Sequence, residues 1–216
     1  MPIIHIAGKL VCFHHVPRSG GSAVEDYLTQ RFGAIGFLDR RYLKQDEQLR
    51  WNKSSPQHIA PDALFKLLPA SFFAESFAMV RSPLDRLLSV FRYQRDLEHT
   101  LPEDVDLKTW LDELPGIQKD NPFYLDNHPR PMCELVPEHA TVFRLEDGME
   151  PIVKWLDQVE GAKRAPREIP VGNSFRQRME GLKRDPEVEI PVSDAARKKI
   201  HDMFSDDYAR FGYDKV

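Results

Sequence analysis

Cysteine is scarce in this sequence, which holds only Cys12 and Cys133 among its 216 residues. So few cysteines exclude a disulfide framework, and their spacing matches no zinc-binding motif, which is typical of a reducing compartment. Long hydrophobic runs are also lacking. The apolar N-terminal stretch MPIIHIAGKLVCF is short and is interrupted by His5 and Lys9. We therefore expect no signal peptide, no membrane span and a cytoplasmic location.

The sequence also lacks an excess of positive charge, since 30 Lys and Arg against 34 Asp and Glu give a formal net charge of −4. This balance argues against a protein that binds nucleic acid through an overall basic surface, so an anion site must depend on locally placed cations. No internal repeat or low-complexity tract divides the chain. The length suits one hydrophobic core, and we expect a single domain over residues 1–216.

Apolar runs typical of buried strands alternate with patterns typical of helices. The predicted strands are 9–16, 76–80 and 140–147. Predicted helices alternate with them. The first carries Ala23, Leu28 and Phe32 on one face and ends at Gly33, and the others lie at 59–69, 82–97, 149–159 and 193–213. Residues 96–113 are mostly acidic and only loosely patterned. This order predicts an α/β fold with a mostly parallel central sheet flanked by helices.

The stretch FHHVPRSGGSAVEDYL joins the first predicted strand to the first helix. Backbone N–H groups at a helix start, together with the positive end of the helix dipole, form an anion site. Gly20 and Gly21 allow the backbone to approach a phosphate closely, and Ser19 and Ser22 can donate hydroxyl hydrogen bonds. Arg18 adds a fixed positive charge. The stretch therefore has the composition of a phosphate-binding loop.

The same stretch is not a Walker A motif, because its first glycine is missing and its cation precedes the glycine pair. An ordinary ATP or GTP site is therefore disfavoured. A second interpretation stays open, in which the turn binds no ligand and the two glycines serve tight packing between the strand and the helix.

Two motifs together resemble those of one enzyme family. FHHVPRSGGSAVE resembles the phosphosulfate-binding loop F-x-H-I-P-K-T-G-G-T-S of the sulfotransferases, and ESFAMVRSPLDRLLSVFRY resembles their second motif, V-R-N-P-x-D-R-L-x-S-x-Y. Three weaker similarities follow in family order: SPQHIAPDALFKLL, TVFRLEDGMEPIVKWL and FSDDYARFGY. The resemblance covers nearly the whole chain, and is stronger to the carbohydrate (Golgi-type) branch and its bacterial relatives than to the cytosolic aryl branch. It implies a P-loop-like three-layer fold.

The resemblance implies the sulfuryl donor 3′-phosphoadenosine 5′-phosphosulfate (PAPS). It assigns the 5′-phosphosulfate to Arg18, Ser19, Gly20, Gly21 and Ser22. Arg18 stands where the family has a lysine that steadies the charge growing on the bridging oxygen. Arginine keeps that charge but does not give up a proton. Ala23 stands where the family has a second hydroxyl.

The resemblance also assigns the 3′-phosphate to Arg81 and Ser89, and the role of general base to His58. Neutral imidazole suits proton abstraction near pH 7. The residues alone leave alternatives, in which Arg81 pairs with a nearby acid, Ser89 faces a neighbouring helix, and His58 is structural. His15 is the second candidate for the base, since it lies close in sequence to the loop.

Other features leave the acceptor and the exact activity open. The basic stretch 163–184, around Asn173 and Ser174, resembles the family region that closes over the nucleotide, but it could equally hold an acidic acceptor or be a solvated loop. The sequence shows no metal-binding constellation, and we expect none to be needed. The proposed reaction is transfer to a hydroxyl of a glycan or other small acceptor. Two alternatives remain, a P-loop nucleotide kinase and a nucleotide-binding relative without turnover.

Overall fold

The computed structural model describes residues 1–170, 179–181 and 190–214. Its sheet has the order β1 (Ile3–Ile6), β2 (Lys9–His14), β3 (Glu75–Val80) and β4 (Thr141–Arg144). Strands β2, β3 and β4 are parallel, and β1 pairs antiparallel with β2. The prediction of an α/β fold with a mostly parallel sheet is therefore confirmed.

Helices connect and follow these strands. The described α-helices are α1 (Gly21–Phe32), α2 (Pro61–Leu67), α3 (Pro83–Arg92), α4 (Leu107–Asp120), α5 (Met132–Leu135), α6 (Glu150–Glu160), α7 (Asp194–Met203) and α8 (Ser205–Phe211). Local signals explain several bounds. The Gly33 N–H caps the end of α1, and Ser82 caps α3 by accepting a hydrogen bond from the backbone N–H of Asp85.

Several elements differ from the sequence-based expectation. Strand β1 and helix α4 were not predicted, and the predicted helix over 193–213 is two helices separated at Phe204. The predicted helix over 82–97 ends as α3 at Arg92 and continues as a π-helical turn, Tyr93–Leu97. All of these differences lie outside residues 9–32, which form strand β2, the loop and helix α1.

The contacts of the chain group it into two compact units. The first contains Met1–Arg81 and Asp126–Val171, and the second contains Ser82–Leu125 and Gly172–Val216. The first unit holds the sheet and a core in which Phe13, Phe77 and Leu156 are fully buried. The second has its own core around Trp110 and Ile200. The single domain expected from the sequence stays a prediction.

In the part of the chain that the structure describes, no helix has both the length and the apolar character required to cross a lipid bilayer.

Candidate active site

The turn from β2 into α1 carries the predicted phosphate-binding loop. Strand β2 ends at His14 and α1 begins at Gly21, so the loop occupies the carboxyl end of a central parallel strand. Arg18 and Gly20 have left-handed backbone conformations, with φ of 66° and 83°. Because the first N–H groups of a helix have no partner within it, the start of α1 offers donors to an anion.

The space beside the two glycines is occupied by other side chains. A Cβ at Gly20 would lie 2.6 Å from the Met79 Cε atom, and a Cβ at Gly21 would lie 2.1 Å from the His15 Nε2 atom. The Met79 methyl group ends a flexible side chain and can move, whereas the His15 ring is held by Glu25. Close packing therefore explains Gly21, the positive φ of 83° favours glycine at position 20, and the role of both residues in phosphate binding stays a prediction.

The polar side chains of the loop differ in accessibility. Arg18 is half-buried and Ser22 is exposed, whereas Ser19 is fully buried. Among the described residues, the Ser19 Oγ atom has no hydrogen-bond partner. A buried hydroxyl without a partner is costly, and a phosphosulfate oxygen would satisfy it. The loop therefore fits an anionic group through its N–H donors, its Arg18 charge and this hydroxyl.

His58 is held firmly by a carboxylate distant in sequence. It closes a short 3₁₀ turn, Pro56–His58, and its Nδ1 atom lies 2.6 Å from an Asp126 oxygen. Asp126 also accepts hydrogen bonds from the backbone N–H and the hydroxyl of Ser55, both at 2.6 Å. The Asn127 amide donates to the His58 carbonyl oxygen at 2.8 Å. With Nδ1 bound to a carboxylate, Nε2 is the ring nitrogen left for chemistry.

The backbone that supplies Asp126 is strained. Leu125, Asp126 and Asn127 are three consecutive non-glycine residues with positive φ, at 49°, 57° and 64°. A left-handed conformation costs an L-residue roughly 1–2 kcal/mol, so three in a row persist only where other contacts compensate. The hydrogen bonds of Asp126 and Asn127 to the segment Ser55–His58 are such contacts.

His15 forms a second histidine–carboxylate pair beside the first. Its Nδ1 atom lies 2.5 Å from a Glu25 oxygen, and Arg40 donates to the other Glu25 oxygen at 3.2 Å. The His15 and His58 rings meet edge to face with centroids 4.7 Å apart, and the His128 ring lies 5.0 Å from His58. Three nearly buried imidazoles and two carboxylates thus form one connected cluster beside the loop.

Burial and nearby charges have opposite effects on the pKa values of the two carboxylates in this cluster. Burial alone raises the pKa of Glu25, but His15 and the hydrogen bond from Arg40 outweigh it and hold that pKa at about 2. The pKa of Asp126 is likewise lowered, because His58, His128 and Ser55 outweigh its burial. Burial lowers the pKa of His128, and the charges of His58 and Arg18 lower it further. The carboxylates are therefore ionised at neutral pH, and Arg18 acts on this cluster through its charge.

The donor atoms of His58, Asp126 and His128 lie within 4.8 Å of one another, close enough to consider a metal ion. Both Asp126 oxygens, however, already accept hydrogen bonds, three in total from Ser55 and His58. A carboxylate engaged in this way orients a histidine, and we interpret the group as an oriented base.

Arg81 and Ser89 are the remaining residues predicted to bind the sulfuryl donor. Arg81 follows the last residue of β3 and is half-buried in the first unit, whereas Ser89 lies on α3 in the second. Their roles at the 3′-phosphate stay predictions. Asn173 and Ser174, in the basic stretch, lie outside the described residues.

Sequence reasoning did not find Asp126, Asn127 or Glu25. Glu25 lies ten residues after His15, and Asp126 lies 68 residues after His58. The first pair could have been found from spacing, since a residue one helical turn after Gly21 returns to the side of the helix that His15 contacts. For Asp126, the one local signal is the polar run DNH at 126–128.

We expect replacement of Asp126 by asparagine to lower the free energy of unfolding by about 1–3 kcal/mol at neutral pH, because a buried hydrogen-bond network is left incomplete. The folded-state pKa of Asp126 is depressed, so its stabilisation is full above the pKa of an unfolded aspartate, about 4, and is lost as the pH falls through the folded value. Urea unfolding at several pH values measures this difference, which should narrow on acidification. Exposed Asp104→Asn is the control, and a difference independent of pH would contradict the assignment.

One comparison with known proteins identifies a family for this chain. The model of the sulfotransferase family matches residues 7–214, which is nearly the whole chain. No curated protein and no solved structure matches. The match includes the loop at the end of β2, the strand that precedes Arg81 and the segment that carries His58. The chain therefore belongs to the sulfotransferase family.

Proposed function

We propose that the protein transfers a sulfuryl group from PAPS to a hydroxyl of a glycan or other small acceptor, with His58 as general base and without a metal ion. The single observation that supports this most is the His58–Asp126 pair, which lies in the same unit as the Arg18 loop and is linked to Gly21 by the ring of His15. Family membership supports sulfuryl transfer in general.

In this proposal the acceptor hydroxyl gives its proton to the Nε2 atom of His58 as its oxygen attacks the sulfur. Asp126 holds the Nδ1–H and stabilises the imidazolium that forms. The bond between sulfur and the bridging oxygen breaks with its electron pair remaining on the nucleotide phosphate. Arg18 and the N–H groups at the start of α1 stabilise that charge. Acceptor oxygen, sulfur and leaving oxygen must lie in line, which the fixed loop and the fixed base favour.

Two other functions make different predictions. A nucleotide kinase would bind ATP with magnesium, and the missing Walker lysine counts against it. A relative that binds nucleotide without turnover is motivated by Arg18 and Ala23, and would bind the donor but transfer nothing. The cytoplasmic location expected from the sequence stays a prediction.

Isothermal titration calorimetry without magnesium tests the donor site. The ligands are 3′-phosphoadenosine 5′-phosphate, which is the desulfated product, and ADP as the control. We expect a clear preference for the 3′-phosphorylated nucleotide, and labelled PAPS with pooled hydroxyl acceptors then tests turnover. Equal binding, a preference for ADP, or no binding would contradict the proposal.

Replacement of Arg81 by alanine is expected to weaken binding of 3′-phosphoadenosine 5′-phosphate about 10-fold or more, because an arginine–phosphate contact is charge-assisted. Binding of adenosine 5′-phosphate, which lacks the 3′-phosphate, should scarcely change. Arg41→Ala, at an exposed position outside both motifs, is the control. Equal losses for the two nucleotides would contradict the role of Arg81.

A further inference from the structure

His15 lies between the loop and the candidate base, and each part of its ring has a defined neighbour. Its Nε2 atom fills the space that a Cβ of Gly21 would need, and its ring contacts His58 edge to face at 4.7 Å. Its other nitrogen, Nδ1, is bound by Glu25 at 2.5 Å. His15 therefore determines how far the first residue of α1 lies from the ring of His58.

Glu25 determines where His15 lies. It is on α1, one helical turn after Gly21, and 2% of its surface is exposed. Residues four apart lie on the same face of a helix, so Gly21 and Glu25 contact the same imidazole. Arg40 provides the second hydrogen bond to this carboxylate. A carboxylate with so little exposure and so specific a contact is more than a solubilising surface group.

We propose that Glu25 is a positioning residue for sulfuryl transfer: it holds His15 against both Gly21 and His58. This inference rests on the proposed function of His58 as the base. Glu25 then complements Asp126. Asp126 binds the base directly, whereas Glu25 acts on it through the His15 ring.

Several other groups face the same cluster and set its charge balance. Asp126 adds a second negative charge beside His58, and Arg18 adds a positive charge that acts on His128. Arg40 binds Glu25, and the Met1 amino group, which donates to the Pro56 carbonyl oxygen, interacts electrostatically with both carboxylates. Replacement of Glu25 by glutamine therefore removes one negative charge from this balance and leaves the His15 ring without an ionised partner.

The test compares Glu25→Gln with Asp26→Asn. Glutamine keeps the size of Glu25 and can still accept from His15, but it carries no charge. Asp26 is the matched control, because it is the next residue on α1, it also binds Arg40, and its side chain is exposed. We expect Glu25→Gln to lower kcat for transfer about 10- to 100-fold, since a small misplacement of reacting groups has effects of that size. Asp26→Asn should leave kcat within about 2-fold.

A double-mutant cycle separates this role from a merely structural one. We expect Glu25→Gln to lower kcat much less in a His15→Ala background than in the wild type, because Glu25 acts on His58 through the His15 ring. Losses of kcat that simply add in the double variant overturn the proposal, as does wild-type behaviour of Glu25→Gln.

A second readout does not depend on turnover. The ring proton resonance of His58, assigned by its loss in His58→Ala, is compared by NMR at one neutral pH in the wild type, Glu25→Gln and Asp26→Asn. We expect it to move in Glu25→Gln, because the His15 ring that contacts His58 is displaced, and to stay in place in Asp26→Asn. An unmoved resonance in Glu25→Gln overturns the proposal. Absence of transfer by the wild-type protein would instead contradict the proposed function.

Discussion

Replacement of His58 by alanine is expected to lower kcat for sulfuryl transfer by about 10²- to 10⁴-fold, which is the contribution typical of a general base. Asp126 and Ser55 would remain, but no imidazole would be held where the acceptor hydroxyl must lose its proton. Affinity for 3′-phosphoadenosine 5′-phosphate should stay within about 2-fold of wild type, because the proposed nucleotide contacts come from other residues. Transfer of label from PAPS and calorimetry with the product nucleotide measure the two effects.

His5→Ala is the matched control for this variant, since it removes an exposed imidazole from β1 in the same unit. It should change neither quantity. Unchanged turnover in His58→Ala would remove His58 as the base and leave His15, the imidazole in contact with it, as the next candidate. A parallel loss of nucleotide affinity would indicate a structural role instead.

The second large effect is expected from Gly21→Ala. The new methyl group would lie 2.1 Å from the Nε2 atom of His15, which is held in place by its hydrogen bond to Glu25. Overpacking of this kind costs about 1–3 kcal/mol, so we expect a lower free energy of unfolding in urea. Displacement of the loop should also weaken binding of 3′-phosphoadenosine 5′-phosphate.

Gly116→Ala provides the control, because Gly116 lies within α4 and a Cβ there would meet nothing within 4 Å. Alanine at that position should stabilise the protein by about 0.5–1 kcal/mol, since glycine is unfavourable inside a helix. His15→Ala by itself also destabilises the protein, because it removes the buried partner of Glu25, but Gly21→Ala should cost much less stability in the His15→Ala background than in the wild type. If Gly21→Ala is as stable as the wild type, His15 does not pack against the loop as described.

The elements that the sequence predicted have strong local signals. Buried apolar runs mark β2 and β3, Gly33 ends α1, and Ser82 with Pro83 begins α3. These signals depend on backbone geometry within one turn, and they can therefore be recognised without the rest of the fold.

The elements that were missed depend on their surroundings. Strand β1 has four residues and forms by pairing with β2 across the tight turn Ala7–Gly8, in which both residues have positive φ. Helix α4 buries Trp110, Leu111 and Leu114, but acidic residues and an internal proline, Pro115, obscure that face in the sequence. Tertiary contacts override a weak local preference in both cases.

The residues of the candidate site also divide into those with a local sequence signal and those without one. The loop and His58 were predicted from motifs, because motifs preserve local spacing. The carboxylates that hold the histidines were not, because Asp126 reaches His58 only after the chain has passed through the second unit. No local pattern around Asp126 indicates which side chain it binds. The strained backbone at 125–127 is stabilised by hydrogen bonds to the segment at 55–58, which is distant in sequence.

This separation along the chain has a consequence during biosynthesis. His15 and Glu25 are ten residues apart and leave the ribosome almost together, whereas His58 emerges 68 residues before Asp126. At about 5–20 residues per second, that interval lasts roughly 3–14 s. A nascent chain that stops short of residue 126 therefore carries the complete donor loop but a histidine without its carboxylate. The loop that would bind the nucleotide is therefore synthesised before the His58–Asp126 pair that would accept the proton is complete.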